Sequence, residues 1–177
     1  MNVALLRGVN VGGKNRLPMK DLVEMFTAAG CSNVSTYIQS GNVLFNAPAS
    51  VLKKLPENIA KQIAETFGFR APVILRTAEQ MAETVRANPF LAAGKAESTL
   101  HVYFLAETPG SAAIAKLDPD RSPPDAFHAH GREIYLHLPN GMARTKLTNA
   151  YFDSKLGTVC TARNWATVLK LTELSAS

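Results

Sequence analysis

The stretch Val34-Ser35-Thr36-Tyr37-Ile38-Gln39-Ser40-Gly41-Asn42-Val43-Leu44-Phe45-Asn46 decides the fold. β-Branched and aromatic residues alternate with polar ones on both sides of Ser40-Gly41, a tight-turn pair. The pattern predicts a hairpin of two strands, Val34 to Gln39 and Asn42 to Asn46. Period two then gives each strand two faces. Val34, Thr36, Ile38, Val43 and Phe45 share the one expected under helices. Tyr37, Gln39, Asn42 and Leu44 share the one expected to be open.

Outward from the hairpin, the elements fall into a known order. Asn2 to Arg7 reads as a short apolar strand ending at Gly8. Pro18 suits a helix start, and Met19, Leu22, Val23 and Phe26 recur at helical spacing up to the stop at Gly30. A second helix covers Ser50 to Phe67 through Leu55, Ile59 and Ile63, with Pro56 marking a bend or the start of its regular part. Pro72 to Arg76 is a fourth strand. The order β-α-β-β-α-β is the ferredoxin-like pattern. Thr77-x-x-Gln80 is a capping-box signature for a helix to Ala87, stopped by Asn88-Pro89. After a linker, the second half partly repeats the first. It has a strand at Leu100 to Ala106, a short helix at Gly110 to Leu117, and a hairpin of Ala126 to His130 and Glu133 to Leu138 around Gly131-Arg132. Two helices follow, Thr148 to Leu156 and Ala162 to Leu174. The expected class is α+β: two ferredoxin-like halves with antiparallel sheets, the second incomplete and ending in two helices. The boundaries are 1–77, a connecting helix and linker at 78–98, and 99–177.

Composition limits the functional classes. With 177 residues, 46% hydrophobic and 19% charged, the chain can bury a core without a metal or disulfide. No apolar run approaches the ~20 residues of a membrane span, so no membrane partner is expected. Cys31 and Cys160 lie far apart, which suits a reducing, cytosolic compartment. The net charge of +5 is uneven. Arg7, Lys14, Arg16 and Lys20 occupy the first twenty residues with no acid among them. Arg144, Lys146, Lys155, Arg163 and Lys170 near the other end face only Asp153 and Glu173. Two basic segments favour an anionic partner if they converge, and otherwise serve solubility.

Two motifs invite chemistry. Gly8-Val9-Asn10-Val11-Gly12-Gly13-Lys14 fits Gly-x-x-x-x-Gly-Lys, a phosphate-binding loop between strand and helix. Asn15, however, stands where such loops carry the Ser or Thr that binds magnesium, and Pro18 delays the helix. Nucleotide hydrolysis is therefore not expected. Two readings stay open: a flexible basic loop that holds an anion, or glycines that only permit turns, with Asn10 and Asn15 bonding backbone. In the second hairpin His128, His130, Glu133, Tyr135 and His137 share a face. Imidazoles and a carboxylate suit zinc, but His137 is spread from His130, so an open polar face is expected there and no metal is assigned.

Ala4-Leu5-Leu6-Arg7-Gly8-Val9-Asn10-Val11-Gly12-Gly13-Lys14-Asn15, taken with Tyr37-Ile38-Gln39-Ser40-Gly41-Asn42-Val43, resembles an uncharacterised bacterial family, domain of unknown function 1697. The run from Arg144 to Asn149, Lys155-Leu156-Gly157, and Thr161 to Trp165 looks like the same family's ending. Ala143, Thr145, Ala162 and Ala166 depart from the Gly, Ser, Thr and Asn usual there, so no polar role carries over to those positions. The resemblance implies a ferredoxin-like α+β fold and a bacterial cytosolic protein. It implies no reaction, catalytic residue or cofactor.

The functional expectation follows from the cations. Arg7, Asn10, Gly12, Gly13, Lys14 and Asn15 would meet Arg144, Lys146, Arg163 and Asn164 in a basic groove between the halves, with Tyr37, Gln39, Ser40 and Asn42 extending the surface. The ligand would be phosphate-bearing, a nucleotide or nucleic acid. Thr161 is expected to cap the last helix, with Arg163, Asn164 and Trp165 in its first turn. The alternatives are an enzyme on a small phosphorylated substrate and a protein–protein or structural module. Oligomeric state is not legible.

Overall fold

The computed structural model describes all 177 residues. The chain divides into two compact units, Met1–Ala82 with Leu171–Ser177, and Glu83–Lys170. The division falls inside two helices. The expected separate connecting segment at 78–98 is thus split, and the chain's last residues belong with its first unit.

In the first unit β1 (Asn2–Leu6), α1 (Met19–Ala28), β2 (Ser32–Tyr37), β3 (Asn42–Asn46), α2 (Ala49–Leu52), α3 (Leu55–Phe67) and β4 (Val73–Thr77) follow the expected order. The sheet runs β2-β3-β1-β4, antiparallel throughout. The predicted second helix is broken in two, and Pro56 sits in the first turn of α3, where its missing N–H costs nothing. Ala4, Leu6, Val43 and Phe45 project from the sheet into a core with Leu22 and Phe26 of α1 and Ile59 and Ile63 of α3. The inward face of the hairpin is therefore as expected, except for Ile38.

The hairpin turn is longer than predicted. Tyr37 pairs with Asn42, leaving Ile38 to Gly41 as a four-residue connection. Ile38 is thereby moved off the strand and half exposed. The opposite face of the sheet is also not open. Val3, Leu5, Asn42, Leu44, Ile74 and Arg76 are all buried. Near-continuous apolar runs such as Val3-Ala4-Leu5-Leu6 are the mark of strands covered on both faces.

α4 (Ala78–Arg86) follows β4 without a loop. The capping box forms in both directions: Thr77 N–H donates to Gln80 Oε1 (2.9 Å), and Gln80 N–H donates to Thr77 Oγ1 (3.1 Å). α5 (Pro89–Ala92) and a 3-10 turn, Glu97–Thr99, occupy the predicted linker.

The second unit holds β5 (Leu100–Leu105), α6 (Ser111–Ile114), β6 (Ala126–His130), β7 (Glu133–His137), α7 (Asn149–Leu156), β8 (Cys160–Asn164) and the start of α8 (Trp165–Ser175). Its sheet, β6-β7-β5-β8, repeats the strand order of the first. The two ferredoxin-like halves are both present. The second, expected to be incomplete, gains its fourth strand from β8, which replaces the predicted opening turns of the last helix. Cys160 and Ala162 face the core while Thr161 and Arg163 face away, the period of a strand. Asn164, not Thr161, caps α8: its Oδ1 accepts from Thr167 N–H (2.9 Å). Ile134, Leu136 and Leu138 are buried with Tyr103 and Phe152, as alternation predicts. No helix is long and apolar enough to cross a membrane.

Candidate functional site

The connection from β1 to α1 is a small hairpin of its own. Val11 and Lys14 form an antiparallel bridge, and Lys14 N–H donates to Val11 O (2.9 Å). Between them Gly12 and Gly13 both have positive φ, the requirement of a type I′ turn. Below the tip, Asn10 N–H donates to Asn15 O (3.0 Å). Asn10, itself at φ 53°, ties the loop down through its side chain. Nδ2 donates to Leu17 O (2.9 Å) and Gln39 O (2.8 Å), and Oδ1 accepts from Leu17 N–H (2.8 Å). Asn15 Nδ2 donates to Gly8 O (2.9 Å). The asparagines thus bond backbone, as one of the two readings of this loop expects, and the stem is stitched in place. α1 begins only at Met19, so its N-terminus is not beside Lys14 as a nucleotide hydrolase would need.

The Asn10–Gln39 bond joins this hairpin to the Ile38–Gly41 turn. Asn42 holds that turn from below: it is fully buried, and Nδ2 donates to Tyr37 O (3.1 Å) and to Ser40 Oγ (3.0 Å). Gly41 lies against β1. Leu6 N–H donates to Gly41 O (2.8 Å), and a Cβ on Gly41 would stand 2.8 Å from Leu6 Cβ. One rigid edge therefore carries Gly8 to Arg16 and Ile38 to Gly41. Lys14 and Arg16 are exposed there, Arg7 is half-buried at its base, and Tyr37 is half-buried beneath.

Sequence reasoning missed two features of this edge. Val11 is 62% and Ile38 50% exposed, and both are large and apolar. Ile38 also has φ 50°, a conformation β-branched side chains avoid. Such strain persists only where surrounding structure enforces it, and it gathers at functional sites. Val11 was legible as an apolar residue stranded in a polar loop; the strain at Ile38 had no sequence signal.

The remaining candidates belong to the second unit. Arg144 and Lys146 are exposed on the segment before α7. That segment is fixed by Arg121 Nε donating to Lys146 O (2.9 Å) and by Lys146 N–H donating to Ser122 Oγ (3.0 Å). Arg121 also stacks 4.0 Å above the Tyr151 ring. Arg163 is not in the first turn of a helix. It is buried in β8, opposite Val102, where Nη1 donates to Thr161 Oγ1 (3.0 Å) and Ala162 O (2.8 Å). Burial pushes its pKa down to about 10. Both of these acceptors belong to its own strand. Arg76 is a second buried arginine, directly after the apolar run Val73-Ile74-Leu75 of β4, and sequence reading passed it over.

The histidine face is only partly wet. His128 and His130 are exposed on the edge strand β6, but Tyr135 is buried and its hydroxyl donates to Thr84 O (2.9 Å). Burial, then the charges of Glu133 and Glu83, raise the Tyr135 phenol. No group of three or more His, Cys, Asp or Glu side chains is placed to hold a metal ion.

Fold and edge together define a tandem ferredoxin-like α+β protein with one elaborated loop edge. A family model described as protein of unknown function (DUF1697) matches residues 1–135, and the chain belongs to that family. The match contains the whole Gly8–Arg16 and Ile38–Gly41 edge and stops short of Arg144, Lys146, Arg163 and Asn164. No curated protein matches. Among solved structures, the conserved bacterial protein SP0830 from Streptococcus pneumoniae is similar in fold. Its TM-score is 0.68 at 22% identity, over 98% of this chain and 97% of that one.

Proposed function

We propose that this protein binds a phosphate-bearing ligand, a nucleotide or nucleic acid, on the loop edge of its first unit. Lys14 and Arg16 supply charge to phosphate, with Arg7 at the base. The Gly12-Gly13 turn lets a ligand approach the backbone closely. Val11 and Ile38 offer apolar surface to a base or sugar, and the Gln39 side chain offers hydrogen bonds. Asn10, Asn15, Ser40 and Asn42 hold the edge in shape, and Tyr37 borders it. In the second unit Arg144 and Lys146 form an exposed anion-facing stretch of their own. The observation that carries the reading is the combination on one edge: two exposed apolar side chains, one of them strained, beside exposed cations on loops locked by Asn10. The setting we infer is a reducing bacterial cytoplasm, supported by two free, buried cysteines.

The test is fluorescence anisotropy of a labelled single-stranded oligonucleotide across a salt series. Binding should weaken with salt, and the Lys14→Ala/Arg16→Ala variant should flatten the log–log slope by roughly 0.7 for each phosphate no longer neutralised. No binding at low salt, or binding indifferent to the double variant, overturns the reading.

A further inference from the structure

The strand β6 is an edge of the second sheet, and nothing in its sequence defends it. Ala126-Phe127-His128-Ala129-His130 contains no Lys, Arg, Asp, Glu or Pro, and it pairs with β7 without a register shift. Edge strands are ordinarily kept from pairing by such charges, by prolines or by bulges. The edge strand β2 of the first sheet has that protection: a register shift between Ser32 and Ser35, with Asn33 at φ 50°.

The phase of the ladder fixes which backbone groups β6 leaves open. Arg132 O accepts from Leu105 N–H and Leu138 N–H donates to Thr99 O, both 2.8 Å and both on the β5 side of β7. Bonding direction alternates along a strand, so Glu133, Tyr135 and His137 turn their backbone groups toward β6. Their register partners His130, His128 and Ala126 are thereby bonded inward. Phe127 and Ala129 aim N–H and C=O out of the sheet edge, while their side chains pack on the core. His128 and His130 lie on the other face, and both are exposed.

We propose that β6 binds a zinc ion between two copies of this chain. The open row dictates the register: a two-fold axis at Ala129, which exchanges both backbone bonds with Ala129 of the second copy. His128 then stands opposite His130 of the second copy, and His130 opposite His128 of the second copy. These are non-hydrogen-bonded pairs, with Cα atoms about 4.5 Å apart. Along each strand the two histidines are about 7 Å apart on one face. Four imidazoles are thus gathered in one cluster, the number and kind of ligand that a closed tetrahedral zinc site takes. One chain offers no group of three ligands, so the site is incomplete without the second copy. A short two-strand contact is marginal by itself, so the pairing depends on the ion.

The test adds zinc chloride to the untagged full chain in metal-free buffer, with calorimetry for binding and sedimentation velocity for mass. The expected result is a monomer that takes up one zinc per two chains, becomes a dimer, and reverts with a chelator. His128→Asn and His130→Asn, both on exposed side chains, should each weaken zinc binding by about 100-fold or more and leave the chain monomeric. Ala129→Pro removes only an outward N–H, which an edge strand tolerates. That variant keeps both histidines and should bind zinc one per chain, about tenfold more weakly or worse, without dimerising. No zinc binding up to about 1 mM overturns the proposal. So does binding indifferent to the histidine variants, one-to-one binding by a parent chain that stays monomeric, or an Ala129→Pro chain that dimerises as the parent does.

Discussion

Replacing Gly41 with alanine separates two effects that the structure superimposes at this turn. Gly41 has φ +78°, and a methyl placed on its Cα would lie 2.8 Å from Leu6 Cβ and 3.4 Å from Val9 Cβ. Leu6 and Val9 are buried, so neither can move aside freely. The left-handed backbone alone costs alanine about 1–2 kcal/mol. Forcing a methyl into a packed core adds about 1–3 kcal/mol. Gly41→Ala should therefore destabilise by roughly 2–5 kcal/mol. Gly13 is the control: it has φ +74°, and nothing lies within 4 Å of its Cβ position. Gly13→Ala should show the backbone cost only. Urea unfolding followed by far-UV circular dichroism gives the comparison, since the single tryptophan reports on the second unit. Equal destabilisation by the two substitutions would refute the close approach of the turn to β1, and with it the rigid edge on which the proposed site stands.

Asn10→Ala removes three hydrogen bonds of the loop stem, and we expect a loss of about 1–3 kcal/mol together with faster proteolysis between Gly8 and Arg16. Oligonucleotide binding should weaken although Lys14 is untouched. Tyr135→Phe leaves the Thr84 carbonyl without the phenol donor and should cost about 1–2 kcal/mol in urea unfolding. Burial holds the His101 pKa below the ordinary histidine value, against an opposing pull from the Thr99 backbone. The folded chain then binds fewer protons than the unfolded one near that value. Stability contributed by His101 is full above it and lost as pH falls through it. Unfolding of His101→Gln should accordingly lose less stability than the parent between about pH 7 and pH 5.

The local elements were legible wherever one period ran without interruption. The hairpins, α1 and the Thr77–Gln80 box depend on neighbours within a few residues, and each stands close to where its pattern put it. β8 was illegible because Asn164 ends a strand and caps a helix at once, so no polar loop marks the change of period. Thr161 has a capping side chain, but its backbone is paired with Phe104 in the sheet. The covered outer faces were misread for a different reason. Tyr37, Gln39, Asn42 and the histidines are polar, and alternation alone assigns polar faces to water. The apolar partners on the same faces, Val3, Leu44 and Ile74 in one sheet and Val102 and Phe104 in the other, carried the contrary signal. Within the site, Lys14 and the glycines were legible as residue types. The way Asn10 binds two loops together depends on a hydrogen bond to a residue twenty-nine positions away in sequence, which no local pattern encodes.

The two units share what the fold requires and differ in what it does not. In each, the last residue of the first strand donates to the end of the hairpin turn: Leu6 N–H to Gly41 O, and Leu105 N–H to Arg132 O, both 2.8 Å. In each, the next N–H bonds the approach to the fourth strand, Arg7 to Pro72 O and Ala106 to Val159 O. Arg76 lies opposite Val3, and Arg163 opposite Val102, and each donates to the carbonyl of the residue before it. Buried arginines at one register in both units answer to the architecture. The loops do not repeat. The second unit passes from β5 to α6 through Ala106 to Gly110 and turns its hairpin in Gly131-Arg132, while the first uses Arg7 to Pro18 and Ile38 to Gly41. With the strand ends beneath bonded alike, the sheet did not need the longer connections. What they add is exposed Val11, Ile38, Lys14 and Arg16 on a stitched frame, and that surplus over the fold's own requirement is what supports the proposed site.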